Sequence, residues 1–127
     1  MRTLRLLKDK ERALLTALMM ESLQATQLVE SLNQVLVEEM DDGGMGSLRF
    51  HYSDSKSRHF AKRLIDREFV DSDGVPVRVA INLDEYGDIY ELDVWKVDFS
   101  PPRRFPVLSK KHDANSNQPC NKDIFRR

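Results

Sequence analysis

Carboxylates are the side chains that this sequence holds in the numbers and spacing needed for chemistry. Glu91 and Asp93 stand two apart in the run IYELDVWKVDF, which puts both on one side of an extended strand. A close pair of that kind can divide acid and base roles when one carboxylate is shielded from water. The commoner outcome is a solvated face paired with neighbours such as Arg78, and that reading is preferred. Asp71 and Asp73 open a D-S-D-G string like the start of a calcium loop, but Val75, Pro76 and Val77 follow where more oxygen ligands would be needed. The string is read as a turn. Gly43, Gly44 and Gly46 could cradle a phosphate, yet no Lys-Ser or Lys-Thr opens a helix behind them, and Asp41 and Asp42 would repel an anion. They are read as a hairpin turn.

The remaining reactive residue types are scattered. His51, His59 and His112 lie at no zinc-ligand spacing from each other or from Cys120, and no G-x-S-x-G elbow is present. The sequence therefore predicts no catalytic residue, no metal site and no cofactor. Trp95 could stack on a ligand, but a large ring in a small domain is worth about 2 kcal/mol or more when buried, so it is assigned to the core.

A chain of 127 residues, 40% hydrophobic and 32% charged, is long enough for one core and has the composition of a water-soluble globule. Its apolar runs are too short to span a bilayer, and Lys8 to Arg12 interrupt the apolar stretch that a secretory signal needs. The lone Cys120 fits a reducing compartment, and a cytoplasmic location is expected. The net charge of −1 conceals a strong segregation. Residues 66–98 hold 10 acidic and 3 basic side chains, whereas the segment from Phe99 onward holds 7 basic and 2 acidic ones. Partners respond to such local fields. The basic tail, with Arg103, Arg104, Lys110 and Lys111, is poor in aromatic residues and adjoins an acidic domain, which disfavours nucleic acid as the partner.

Hydrophobic periodicity places these residues on elements. Leu14, Leu15, Leu18, Met19 and Leu23 predict an amphipathic helix between Lys8 and Leu23, and Leu28, Val29 and Leu32 a short second helix from Gln24 to Leu32. Alternation through Val35 and Val37 and again through Leu48, Phe50 and Tyr52 predicts a hairpin around the glycines. Arg58 to Val70 fits helix and strand spacing about equally, and its second half is read as strand. Val75, Val77, Val79, Ile81 and Leu83 alternate strictly. In the last strand the apolar parity changes near Val94 and Trp95, which predicts a bulge there or a strand end buried on both faces. The expected fold is α+β, two N-terminal helices packed on one face of a four- to five-stranded antiparallel meander sheet, in a domain of residues 1–107 followed by a flexible basic tail, 108–127. The other sheet face, with Arg49, His51, Arg78, Asn82, Glu91 and Asp93, is expected to be wet.

The strings GGMGSLRF (43–50), DGVPV (73–77), INLD (81–84) and ELDVWKVDFSP (91–101) make the chain resemble a family of small uncharacterised bacterial proteins, from about Leu4 to Pro101. The resemblance implies two helices ahead of a β-rich half and supplies no activity, cofactor or catalytic residue. It implies Thr as a helix cap where this chain has Lys8. Stand-alone acidic domains of this layout look like immunity proteins, which neutralise a toxin delivered by a neighbouring cell. The expected function is thus non-catalytic protein binding, with a cognate toxin as partner and Asp84, Glu85, Asp88, Glu91 and Asp93 as contact residues. The alternative is a small-ligand or regulatory domain with a pocket between helices and sheet.

Overall fold

The computed structural model describes residues 3–21, 26–54 and 56–107. Their order is β1 (Leu4–Leu6), α1 (Asp9–Met19), a 3-10 helix (Thr26–Asn33), β2 (Leu36–Glu39), β3 (Leu48–His51), β4 (Phe60–Val70), β5 (Pro76–Asp84) and β6 (Ile89–Lys96). All six strands join one antiparallel sheet in the order β1-β2-β3-β6-β5-β4.

This corrects the expected fold in three ways. The sheet has six strands rather than four or five, and β1, too short at three residues to show a period, precedes the helix. Only one α-helix is present among the described residues, because the second apolar stripe winds as a 3-10 helix. The connectivity is not a simple meander: β3 pairs with β6 through Leu48↔Leu92 and Arg49↔Glu91, so the β4–β5 hairpin lies beyond β6. Short turn-rich links favour neighbour pairing, but the link from Tyr52 to His59 is long enough to carry the chain across to the far edge.

Helix α1 begins without the side-chain cap that a Ser or Thr would give. Lys8 occupies the cap position, and the Glu11 carboxylate accepts its backbone N–H at 2.8 Å. Arg5 on β1 clamps the same carboxylate through two bonds of 2.9 Å, and Asp9 adds negative charge to the first turn, where the helix dipole favours it. Burial works against the Glu11 charge, but Arg5 and the Lys8 amide outweigh it and hold its pKa below the ordinary value. Leu14, Leu15, Leu18 and Met19 are buried against Val37, Leu48, Val77, Val79, Ile81, Leu92 and Val94, with Leu32 and Val35 completing the same cluster. Each such side chain contributes about 2 kcal/mol by leaving water.

Parity explains the sheet. Along β5 and β6 the alternation Val77, Val79, Ile81, Leu83 and Leu92, Val94 faces the helices. Neither expected alternative holds near Val94 and Trp95: no bulge occurs, since Val79↔Val94 and Arg78↔Trp95 pair in register, and the strand end is not buried on both faces, since Trp95 is only half-buried and Val97 is exposed. The register shift lies instead between Asn82 and Leu83, opposite Tyr90. The apolar parity changed because Lys96, not an apolar residue, takes the next buried position at 1% exposure. Trp95 therefore stays off the core cluster, half-buried on the opposite face, which corrects its assignment to the core. The ambiguous stretch from Arg58 resolves as one long strand from Phe60, with register shifts at Phe60/Lys62 and Arg63/Ile65 that account for its mixed spacing. The glycines do form the β2–β3 turn, where Gly46 sits at φ +104°, a backbone conformation that glycine adopts without strain, and Phe105 packs against it.

Candidate functional site

With one face of the sheet under the helices, the opposite face is open among the described residues. Register places its side chains in rows across the strands. Glu38, Arg49, Glu91, Asn82 and Arg63 form one row; Asp93, Ala80 and Asp66 the next; Trp95, Arg78 and Glu68 the third. Leu4, Leu6 and Leu36 form an exposed apolar margin beside β1.

Most charges on this face are already paired. Arg49 donates to Glu91 at 2.8 Å, His51 lies 2.8 Å from Glu38, and Arg78 reaches Asp66 at 2.6 Å and Glu68 at 3.2 Å. Arg63 lies 3.7 Å from Asp66 and donates to Asn82 at 3.3 Å. Glu91 thus takes Arg49 and not Arg78 as its cation. Asp93 is the exception: its Oδ2 accepts from Asn82 at 2.9 Å, and no Lys, Arg or His pairs with it among the described residues. Burial, and next the charge of Glu91, push its pKa above the ordinary carboxylate value. The Glu91 and Asp93 carboxylates are therefore partly shielded, though each lies on an open face and not in a closed cleft.

The other three predicted contact residues do a different job. Asp84 is 3% exposed and caps the β5–β6 turn by accepting the backbone N–H groups of Tyr86 (2.8 Å) and Asp88 (3.0 Å). Its second oxygen accepts from Arg58 at 2.8 Å, and the same guanidinium reaches Asp88 at 2.7 Å and Asp54 at 2.7 Å. Arg58 also lies over the rings of Tyr52, at 4.2 Å, and Tyr86, at 5.1 Å. Burial works against its charge, but the bonds to Asp88, Asp84 and Asp54 outweigh it and keep the guanidinium protonated. Glu85 accepts the His59 backbone N–H at 2.8 Å and meets its ring at 3.2 Å. This cluster fastens the crossing link of residues 52–59 to the β5–β6 turn. Sequence reasoning missed Arg58 because two of its three carboxylates, Asp84 and Asp88, come from a turn about thirty residues away.

A second ionic cluster closes the opposite end of the sheet. Lys96 Nζ donates to Asp71 at 2.8 Å and Asp73 at 2.6 Å, and the Arg103 backbone N–H donates to Asp71 at 2.6 Å. The D-S-D-G string is a turn whose cation is a lysine of the same chain. The hydrogen bond from Lys96 holds both aspartate pKa values below the ordinary range, and the aspartates raise that of Lys96. Just beyond, Phe99 is 81% exposed and sits at φ +67°, its N–H bonded to the Lys96 carbonyl at 2.9 Å. A non-glycine residue in that region stores strain, and such strain collects at functional surfaces.

A cleft of about 440 Å³ lies between the start of α1 and the β2–β3 turn, with Phe105 in its wall. Its inner polar groups are engaged with one another: Arg5 with Glu11 and Glu39, and Asp42 with the Met45 and Ser47 amides. Lys8, Asp9 and Lys10 at its rim are exposed. No group of three or more His, Cys, Asp or Glu side chains able to hold a metal ion occurs among the described residues, and none of their helices is long and apolar enough to cross a membrane. His112, Lys110, Lys111 and Cys120, which entered the sequence reading, lie outside the described residues.

No curated protein and no solved structure matches the chain. A family model described as a domain of unknown function, DUF6984, matches residues 4–106, from β1 to the segment that packs beside the Lys96 cluster, and the chain belongs to that family.

Proposed function

We propose that this chain is a non-catalytic protein-binding domain whose contact surface is the open face of its sheet, and that its partner is a toxin neutralised in the manner of an immunity protein. The observation that carries the binding reading is the state of that face: charged side chains from five strands are fixed by mutual hydrogen bonds on a rigid sheet, with no element over them among the described residues. Side chains already held in place lose little further freedom when a partner arrives, so binding energy is not consumed in ordering them. Five carboxylates, Glu38, Asp66, Glu68, Glu91 and Asp93, stand among three arginines, Arg49, Arg63 and Arg78, an excess that suits a basic partner and steers its approach. Exposed Phe99 and the leucine margin supply apolar contact at the periphery.

Of the five contact residues first expected, Glu91 and Asp93 belong to this surface. Asp84 and Asp88 support the turn, and Glu85 lies beside it. Co-expression with the product of the adjacent gene tests the reading. The expected result is a complex that survives size-exclusion chromatography, together with protection of cells from that product. Absence of both removes the toxin from the proposal.

A further inference from the structure

On a face where the other carboxylates are engaged by arginine or histidine side chains, two neighbouring groups hold no cation among the described residues. Asp93 has Asn82 as its one hydrogen-bonding partner, and Trp95, two residues along the same strand and on the same side, has no cation over its ring, although Arg49, Arg58 and Lys56 each lie over a tyrosine. Between them and Asp66 stands Ala80, which its neighbours cover completely, whereas Asp93 and Trp95 are each partly exposed to an arriving side chain. We propose that Asp93 and Trp95 together form the recognition point for an arginine side chain of the protein partner. A planar guanidinium can bond a carboxylate edge and lie against an indole at once, which a compact ammonium does far less well. Asn82 holds one carboxylate oxygen in position and leaves the other to the guest. Glu91, although bound to Arg49, adds negative potential beside Asp93, while Arg49 and Arg63 oppose it. The raised pKa of Asp93 agrees with this arrangement, because a carboxylate crowded by burial and by a like charge gains from an arriving cation.

The inference rests on the open face being a protein-binding surface, but not on the partner being a toxin. Trp95 is the one tryptophan of the chain, so its fluorescence reports on this point alone. The full chain is titrated with capped triarginine and capped trilysine peptides, following Trp95 emission and the Asp93 carboxyl resonance. Triarginine is expected to perturb both and to lower the Asp93 pKa. Asp93→Asn should weaken the response about tenfold, as loss of one charge-assisted bond does, and Trp95→Leu should weaken it with Asp93 still responding. Trilysine should bind several-fold less tightly. Equal binding of the two peptides, or triarginine binding unchanged by Asp93→Asn, overturns the proposal. So does an Asp93 that titrates below the ordinary carboxylate range before any peptide is added, since a cation of the chain itself would then already hold it. A failed toxin experiment with a positive peptide response removes the toxin and keeps the arginine point.

Discussion

Arg58 and Arg78 are both arginines held by aspartates, yet they lie in regions that use charge for opposite purposes. The Arg58 side chain is 9% exposed and its partner Asp84 is wholly buried, whereas Arg78 is 35% exposed and Asp66 37%. In the first region water cannot replace a lost partner, so the cluster fixes the path of the chain between β3 and β4. In the second, water competes for Arg78, Asp66 and Glu68, so these pairs add little to stability and keep their side chains in place for a partner. Similar bonds of 2.6 to 2.8 Å therefore mean different things according to what surrounds them.

The largest expected effect comes from breaking the buried region. Asp84→Ala leaves Arg58 buried beside fewer carboxylates and uncaps the β5–β6 turn, and should cost about 4 kcal/mol in urea-monitored unfolding. Next is Leu15→Ala, on the helix-covered face, which should cost about 3 kcal/mol by the same measurement, because the cavity beneath α1 cannot collapse fully.

Acid provides a third separation. The folded pKa values of Asp71 and Asp73 are depressed, so their contribution is present above the unfolded value of about 4 and is lost as pH falls through the folded values. Stability should decline below pH of about 4, and Asp71→Asn with Asp73→Asn should flatten that decline at the expense of stability at neutral pH. Asp93, with its raised pKa, has the opposite sign: between its unfolded and folded values, rising pH works against the fold. Asp93→Asn should remove that slope without lowering the melting temperature at neutral pH.

The smallest effect belongs to the open face, where Arg78→Ala should cost less than about 1 kcal/mol. Should it cost as much as Asp84→Ala, the division between structural and available charge fails.

Much of the local structure was legible. The stripe Leu14, Leu15, Leu18, Met19 predicted α1, and the alternation from Val75 to Leu83 predicted β5 and its inward face, because each pattern is a direct readout of one-sided burial. The glycine and aspartate strings marked turns for the same local reason. The wet face was readable from parity as well, and five of its six expected members are less than fully buried there, Asn82 being the exception at 2% exposure.

Local pattern could not reveal what depends on distant chain segments. Three residues of β1 have no period of their own and become a strand only by pairing with β2. The β3–β6 pairing joins segments about forty residues apart, and it decides that Arg49 meets Glu91. Lys96 broke the apolar alternation because its charge is answered by a turn more than twenty residues earlier. In each case the sequence determined which side of an element is apolar, since that follows from adjacent residues. The tertiary structure decided which charges are paired, because pairing depends on which strands become neighbours, and so it alone showed Asp93 and Trp95 to be without a cation among the described residues.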